Sequence, residues 1–92
     1  MIKKFANKGL EKFYQKGSKA GIQPAHAKKL ALLLDRLESA VKPQDMSFPG
    51  SDFHPLKGKF EGCYSVHVNG NWVVIFRFKE GDVYDVDYLD YH

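Results

Sequence analysis

Residues 63–78 read CYSVHVNGNWVVIFRF, and this stretch decides the fold. Its first half alternates apolar residues with small or polar ones, as a strand with one buried face does. Asn69-Gly70 is the strongest short-range sequence signal for a two-residue hairpin turn. A second alternating run follows this turn and ends near Phe78. We therefore predict two antiparallel strands joined by a tight turn, at residues 62–68 and 72–79.

Two helices are predicted ahead of this hairpin. Asn7 supplies an N-cap for a helix from Lys8 to about Lys16, where Gly17 would end it. The second helix is expected to start at Gln23-Pro24, since proline suits a first helical turn. Its apolar stripe is predicted from residues at helical spacing, namely Ala27, Leu30, Ala31, Leu34, Leu37 and Val41.

Three further strands complete the predicted sheet. Short strands are expected at residues 2–5 and 53–57, and a longer one at 83–88, after a turn around Gly81. The resulting order, β-α-α-β-β-β-β, is typical of an α+β fold. We therefore predict a single domain over residues 1–92, with two N-terminal helices packed on a mainly antiparallel sheet of four to five strands.

Strand alternation divides this sheet into two faces. One face should pack under the helices and carries Trp72, Val74, Phe76 and Phe78. The opposite face has room for a ligand and carries Asn71, Val73, Ile75 and Arg77. On the last strand the same alternation places three side chains together on one face, namely Tyr84, Val86 and Tyr88.

Composition and charge narrow the function. The 92 residues are 43% hydrophobic and carry a net charge of +3, which fits a folded globule. The charge is uneven, because residues 1–36 carry +7 and residues 80–92 carry −5. A basic half indicates an anionic partner, most commonly nucleic acid, although lysines that only solvate helix surfaces give the same pattern.

Several protein classes are disfavoured. No apolar run approaches the ~20 residues of a membrane-spanning helix, and the basic first residues lack the apolar stretch of a signal peptide. Cys63 is the single cysteine, so neither an internal disulfide nor a thiolate zinc site is expected. We predict a cytoplasmic protein that binds no membrane and requires no cofactor.

Two segments carry residue types used in acid–base catalysis. One is His54-Pro55-Leu56-Lys57-Gly58 and the other is Asp90-Tyr91-His92. Each has a simpler interpretation, an edge strand with solvated side chains for the first and a frayed tail for the second. His26 is expected at the surface. His67, beside the hairpin turn, is expected to be solvated rather than to contact a ligand.

The two segments together suit the cleavage of RNA. The ribose 2′-hydroxyl is an internal nucleophile, so the protein needs a base for it, an acid for the departing 5′-oxygen and a cation for the phosphate. Imidazole titrates near neutrality and serves as either base or acid. A metal site built from His54, Asp90 and His92 is disfavoured, because no paired local ligand spacing supports it.

Over its whole length the chain resembles the HigB toxins, which belong to the RelE-like superfamily of bacterial toxin–antitoxin modules. The landmarks are Met1-Ile2-Lys3, Lys8-Gly9-Leu10, His54 to Gly58, Asn71 to Phe78, Gly81-Asp82 and Asp90-Tyr91-His92. The resemblance implies a microbial-ribonuclease-type sheet and an endoribonuclease that cuts translated mRNA in the ribosomal A site. It also implies a HigA-type helix-turn-helix antitoxin as partner, with operator DNA bound only through that antitoxin.

The resemblance also implies a set of site residues. The expected active site comprises His54, Lys57, Asp90, Tyr91 and His92. Contacts to RNA are expected from Lys59, Asn71, Val73 and Arg77. His92 would act as base or acid, with Asp90 tuning or replacing it. Tyr91 would stack on a base or position the phosphate, Lys57 would stabilise phosphate charge, and His54 would orient the scissile group or share the proton transfer.

Val73 departs from the family, which commonly carries arginine at this position. Valine cannot replace the fork-like phosphate donor of arginine. Arg77 shares the face but lies about 13 Å away along the strand, too far to substitute. We therefore keep a second hypothesis, a catalytically weakened or silent homologue that binds antitoxin or ribosome. A DNA-binding module is a weaker third hypothesis, because no recognition-helix motif is present.

Overall fold

Two helices and four strands make up the described part of the chain. The structure is a computed structural model and describes residues 1–91. Its helices and strands are α1 (Lys8–Lys16), α2 (Ala27–Ser39), β1 (His54–Pro55), β2 (Tyr64–Asn69), β3 (Trp72–Lys79) and β4 (Asp82–Asp90). Short 3-10 turns cover Pro24–His26, Pro43–Met46 and Gly58–Phe60.

The four strands form one antiparallel sheet in the order β1-β2-β3-β4. Val66 lies opposite Val74 in the central pair, and the ladder shifts by one residue beside the turn, where Asn69 lies opposite Trp72. Gly70 closes the turn with a φ of 58°, a left-handed conformation that glycine adopts without strain. The hairpin predicted from Asn69-Gly70 and the α+β fold class are confirmed.

The N-terminal segment lies along the free edge of β4. Instead of a continuous strand at residues 2–5, it forms two parallel bridges, Ile2 with Val83 and Phe5 with Val86. The Lys3 amide donates to the Val83 carbonyl at 2.8 Å. A chain laid over an edge satisfies backbone groups that would otherwise be open to pairing with another molecule.

Helix α1 has the predicted ends. The Asn7 side chain accepts a hydrogen bond from the Leu10 amide at 2.8 Å, and its Nδ2 donates to the Tyr88 carbonyl at 3.1 Å. Gly17 ends the helix with a φ of 74°, and its amide donates to the Phe13 carbonyl at 2.9 Å. Asn7 therefore both caps the helix and ties it to β4.

The hydrophobic core lies between the helices and one face of the sheet. Helix α2 contributes buried leucines at helical spacing, namely Leu30, Leu33, Leu34 and Leu37. The sheet contributes Val66, Val74, Phe76, Val83 and Val86, all fully buried. The predicted stripe of α2 was wrong in two places. Leu33 is buried where Ala31 is exposed, and Val41 lies beyond the helix end with 66% of its surface exposed.

A bulge in β4 overturns one predicted face. Between the pairs Ile75–Asp87 and Arg77–Tyr84 the ladder holds one extra residue of β4. Asp85 has a φ of 55° there, which marks the irregular position. Because the extra residue reverses the alternation, Val83 shares the core with Val86 and Tyr88. The prediction that Tyr84 lies on that face was wrong.

His26 is a second correction. It was expected at the surface, but only 6% of it is exposed. Its Nδ1 shares a 2.7 Å hydrogen bond with the Tyr88 hydroxyl, which also accepts from the Gln23 amide at 3.2 Å. The imidazole also meets the Trp72 ring edge-on, with centroids 5.6 Å apart. The 3-10 turn at Pro24–His26 directs this side chain inward, so His26 belongs to the packing of α2 on the sheet.

Candidate active site

A surface cleft of about 390 Å³ opens on the face of the sheet that the helices leave uncovered. It lies over β1, β2 and the start of β3. Its lining includes residues from both catalytic segments predicted from the sequence: Asp52, His54, Pro55, Leu56, Lys57, Ser65, His67, Gly70, Asn71, Val73 and Tyr91. The fold therefore brings His54 and Lys57 to the same cleft as Tyr91, more than thirty residues away in the sequence.

Strand register explains which side chains share this cleft. His54 lies opposite Ser65, and His67 lies opposite Val73. Ser65 and His67 are two residues apart on β2 and so point to the same face. Diagonal neighbours of this kind have Cα atoms about 7–8 Å apart, within reach of long side chains. Two imidazoles on adjacent strands can thus approach one ligand group.

His54 is oriented by the residue two positions before it. Its Nδ1 lies 2.9 Å from the Asp52 carbonyl oxygen, so Nδ1–H donates there and the neutral ring keeps its lone pair on Nε2. The Asp52 carboxylate is 3.6 Å from the same nitrogen, and both side chains are largely exposed. Asp52 has a φ of 49°, which aspartate tolerates better than most residues. The ring is thus held as a base that can accept a proton at Nε2.

Lys57 sits at the start of the tight turn that follows β1. The Leu56 amide donates to the Cys63 carbonyl at 2.9 Å and ties the segment back to the chain ahead of β2. Gly58 has a φ of 70°, so the chain reverses into the 3-10 turn without a strained side chain. Lys57 is exposed and lines the main cleft together with a neighbouring one. Its ammonium group is therefore available to a phosphate bound in either.

Tyr91 is held beyond the end of β4. Its amide donates to the Asn71 carbonyl at 2.8 Å, so the backbone continues the pairing with β3. Its ring meets Phe60 edge-on at 5.9 Å and remains 40% exposed. A ring held on one side and open on the other can stack on a nucleobase. The interpretation of residues 90–92 as a frayed tail therefore does not apply to Tyr91.

A second cleft of about 360 Å³ lies on the other side of Tyr91. It is lined by Lys57, Lys59, Phe60, Leu89, Asp90 and Tyr91. Asp90 is paired opposite Trp72 at the end of β4 and is exposed. The Lys59 ammonium lies 5.4 Å from the centre of the Phe60 ring. Lys57 and Tyr91 are common to both clefts, so they form the ridge between them.

Some of the other residues predicted from the sequence line the main cleft, and some do not. Asn71 and Val73 line the main cleft. Arg77 does not line either of these clefts. Its Nε lies 3.2 Å from the Asp85 carboxylate, and its Nη2 lies 3.4 Å from the Cys63 sulfur. The predicted role of His92 concerns a residue outside the described range.

His67 is a cleft residue that the sequence interpretation set aside. It was expected to be solvated, but it lies half-buried in the cleft wall, where Nε2 is 2.9 Å from the Gly70 carbonyl oxygen. Its alternation with Ser65 placed it on the ligand face from the start. What the sequence could not supply was the pairing of the predicted strand at 53–57 with β2, which places β1 alongside His67 in the cleft.

A metal-binding cluster and a membrane-spanning helix are both absent from the described residues. Among residues 1–91, no three histidine, cysteine, aspartate or glutamate side chains are grouped as a metal ion would need. Within the same range, no helix has the length and apolar character required to cross a membrane.

Comparison with known proteins identifies the family. A family profile described as the RelE-like toxin HigB of type II toxin–antitoxin systems matches residues 3–92. The chain belongs to the HigB family of RelE-like toxins. It is 35% identical to Endoribonuclease HigB of Proteus vulgaris, over 100% of both chains. It is 31% identical to Toxin HigB-1 of Vibrio cholerae, over 100% of this chain and 98% of the relative.

The fold has a counterpart among solved structures. A chain of the YoeB–YefM complex from Staphylococcus aureus superimposes with a TM-score of 0.62 at 18% identity, covering 100% of this HigB chain and 98% of that chain. This likeness supports the α+β fold of a RelE-like protein. Membership of the HigB family confirms the predicted family and the predicted enzyme class, an endoribonuclease of a toxin–antitoxin system.

Proposed function

We propose that this HigB protein cuts translated mRNA in the ribosomal A site and thereby arrests translation and growth in the cytoplasm. The observation that carries the proposal is the convergence of His54, Lys57 and Tyr91 on one cleft. These side chains supply a proton acceptor, a cation and an aromatic surface. Cleavage by a ribose 2′-hydroxyl requires the proton acceptor and the cation, together with an acid for the departing 5′-oxygen. The aromatic surface can hold a base of the substrate.

The reaction proceeds by transfer of two protons and exchange of one P–O bond. Nε2 of His54 accepts the 2′-hydroxyl proton, and the 2′-oxygen bonds to phosphorus as the bond to the 5′-oxygen breaks. An acid returns a proton to the departing 5′-oxygen, leaving a 2′,3′-cyclic phosphate and a 5′-hydroxyl. The Lys57 ammonium offsets the charge that grows on the phosphate oxygens. No step requires a metal ion.

The acid comes from residues 90–92 in this proposal. His92 donates to the 5′-oxygen, with Asp90 tuning its protonation or replacing it. Tyr91 positions the substrate from the ridge between the two clefts. Lys59 and Asn71 contact the RNA on either side of that ridge. Val73 packs against the RNA, and Arg77 contacts it farther along the sheet. The aromatic pair of Tyr91 and Phe60 supports stacking of a base over the second cleft.

The partners follow from the family and the charge distribution. A HigA-type helix-turn-helix antitoxin neutralises the toxin, and operator DNA is bound only through that antitoxin. The lysines of residues 1–36 bind the phosphates of ribosomal RNA, and this attraction weakens as salt is raised.

The proposal is tested with purified protein and ribosomes programmed with one mRNA. Wild-type protein should cut the mRNA at the A-site codon, as mapped by primer extension, and should leave the same mRNA intact when ribosomes are omitted. His54→Ala and His92→Ala should each lower the cleavage rate about a hundredfold to ten-thousandfold, the usual contribution of an acid or base.

Lys57→Ala should lower the rate as well, and Lys79→Ala is its matched control. Lys79 is also an exposed lysine, but it lies at the far end of β3. Equal losses in the two variants would attribute the effect to general charge rather than to the cleft. Equal cutting of free and ribosome-bound mRNA would overturn the ribosome dependence.

A second candidate function is favoured by Val73, which leaves the cleft without the arginine common in the family. In that case the protein is a silent homologue that binds antitoxin and ribosome without cutting. Wild-type protein that co-sediments with ribosomes but produces no cut, and whose induction without antitoxin leaves growth unchanged, would establish this alternative.

A further inference from the structure

His67 has a place in the cleft that the proposed mechanism does not use. It lies on β2, two residues after the partner of His54 and directly opposite Val73 on β3. Opposed Cβ atoms in an antiparallel pair are about 4.5–5.5 Å apart. The side chains of residues 67 and 73 are therefore adjacent in the cleft, and the side chain of Val73 has no polar group.

The hairpin turn fixes the ring of His67. Its Nε2–H donates to the Gly70 carbonyl at 2.9 Å, and its backbone amide donates to the Ser51 carbonyl at 2.8 Å. The neutral ring therefore carries its lone pair on Nδ1. Protonation at Nδ1 adds a charge and a donor without breaking the bond to Gly70.

The charged and titratable groups around His67 are few. From the side of β1 and its flanking loops the cleft receives Asp52, His54 and Lys57, and from the end of β4 it receives Tyr91. The cleft-lining residues from the start of β3, Asn71 and Val73, are uncharged. The carboxylate of Asp52 is associated with His54, at 3.6 Å from its Nδ1. Within this lining, His67 is the ionisable side chain that lies directly opposite Val73 in the ladder.

We propose that protonated His67 is a further catalytic residue, which donates from Nδ1 to a non-bridging oxygen of the scissile phosphate. This inference rests on the proposed function, since it assigns the phosphate contact of the same site. His54 and His67 then act in different charge states and have different roles. The neutral ring of His54 removes the 2′-proton, while the protonated ring of His67, about one diagonal step away in the ladder, stabilises the phosphate.

The test compares single-turnover cleavage of ribosome-bound mRNA by wild type and His67→Gln over a range of pH. Glutamine has an amide nitrogen near the position of Nε2, so it keeps a donor for the Gly70 carbonyl but has no ionising group. The ratio of the two rates cancels the titration of groups that lie too far from His67 to be affected by its charge. We expect wild type to be faster by about tenfold to a hundredfold near pH 6, the effect of one charge-stabilising donor. The ratio should shrink as the pH is raised to 8.5, because only the protonated ring carries the charge and the second donor.

A cation placed at the facing position should rescue the loss. In His67→Gln, the further change Val73→Arg should restore most of the rate near pH 6 and keep it at pH 8.5, because guanidinium does not titrate in this range. Val73→Arg alone provides a version of the test that leaves His67 intact. It should accelerate wild type strongly near pH 8.5 and little near pH 6, where His67 already holds the phosphate.

Each remaining result overturns the inference. Equal rates of wild type and His67→Gln at every pH would show that His67 does not contact the phosphate. A loss that is the same at every pH and is not rescued by Val73→Arg would assign His67 a structural role at the turn. Failure of the proposed function looks different, because wild-type protein would then leave ribosome-bound mRNA uncut at every pH.

Discussion

The two faces of the sheet use the same residue types for opposite purposes. On the helix-covered face, His26 is buried, shares a hydrogen bond with Tyr88 and packs against Trp72. On the open face, His54 and His67 line a cleft, and each is bonded through one ring nitrogen to a backbone carbonyl. The covered histidine completes the core, whereas each open-face histidine has a second nitrogen left to exchange a proton with a ligand.

Because of this difference, one of two neighbouring residues in a strand can contribute to stability and the other to function. Val73 and Val74 are neighbours in β3, but Val74 is fully buried under the helices and Val73 faces the cleft. Strand alternation turns consecutive side chains to opposite faces, so equal substitutions at the two positions test the two faces independently.

The largest expected effect comes from placing a carboxylate at each of these two positions. Val74→Asp should leave the protein largely unfolded, because an unpaired charge in the core costs more than about 4 kcal/mol, comparable with the total stability of a small domain. Val73→Asp should lower the free energy of unfolding by only about 1 kcal/mol, within the range of strand preferences. Urea unfolding followed by circular dichroism measures both.

Cleavage should show the reverse order. Folded Val73→Asp protein should cut ribosome-bound mRNA more than about tenfold slower than wild type, because the new charge repels the phosphate across a short distance. A folded, stable Val74→Asp protein would contradict the assignment of the covered face. Unimpaired cleavage by Val73→Asp would remove position 73 from the phosphate site.

Local signals in the sequence were sufficient for most of the fold. Asn69-Gly70 determined the hairpin, and Asn7 and Gly17 determined the ends of α1, because each of these residues acts through its own backbone geometry or hydrogen bonds. Strand alternation also placed Val73 and His67 on the ligand face. These predictions required no knowledge of what packs against them.

The errors arose where distant parts of the chain decide the outcome. The bulge at Asp85 reverses the faces of β4, and nothing in the alternation of residues 83–88 announces an extra residue. His26 is inside because Tyr88, far away in sequence, provides its hydrogen-bond partner. The cleft itself depends on β1 lying beside β2, so the sequence alone could name His54 and Tyr91 without establishing their proximity.

Asn7→Ala is expected to have the next largest effect on the covered face. It removes the cap of α1 and the bond from Nδ2 to the Tyr88 carbonyl together. The loss in free energy of unfolding should be about 1–2 kcal/mol, the upper part of the range for cap removal. A urea titration should show a lower midpoint with an unchanged slope.

Asn71→Ala is the matched control on the open face. Asn71 is exposed in the cleft, and its contribution to the fold is a backbone carbonyl that alanine retains. Its stability should stay within about 0.5 kcal/mol of wild type. Equal losses in the free energy of unfolding for Asn7→Ala and Asn71→Ala would contradict the assignment of one face to structure and the other to function.

The smallest effect should come from Tyr14, at the edge of the covered region. Burial, and then the hydrogen bond to Glu38 at 2.8 Å, raises the pKa of the Tyr14 hydroxyl from 10.0 to about 12. Because this pKa is higher in the folded than in the unfolded state, the Tyr14 hydroxyl contributes fully to the free energy of unfolding below pH 10. The contribution is lost as the pH rises towards 12. Wild type should therefore lose stability over this interval more steeply than Tyr14→Phe. Glu38→Gln should fall between them, because burial, the larger cause, remains. Identical slopes in all three proteins, measured by urea unfolding at several pH values, would place the Tyr14 hydroxyl outside the packed region.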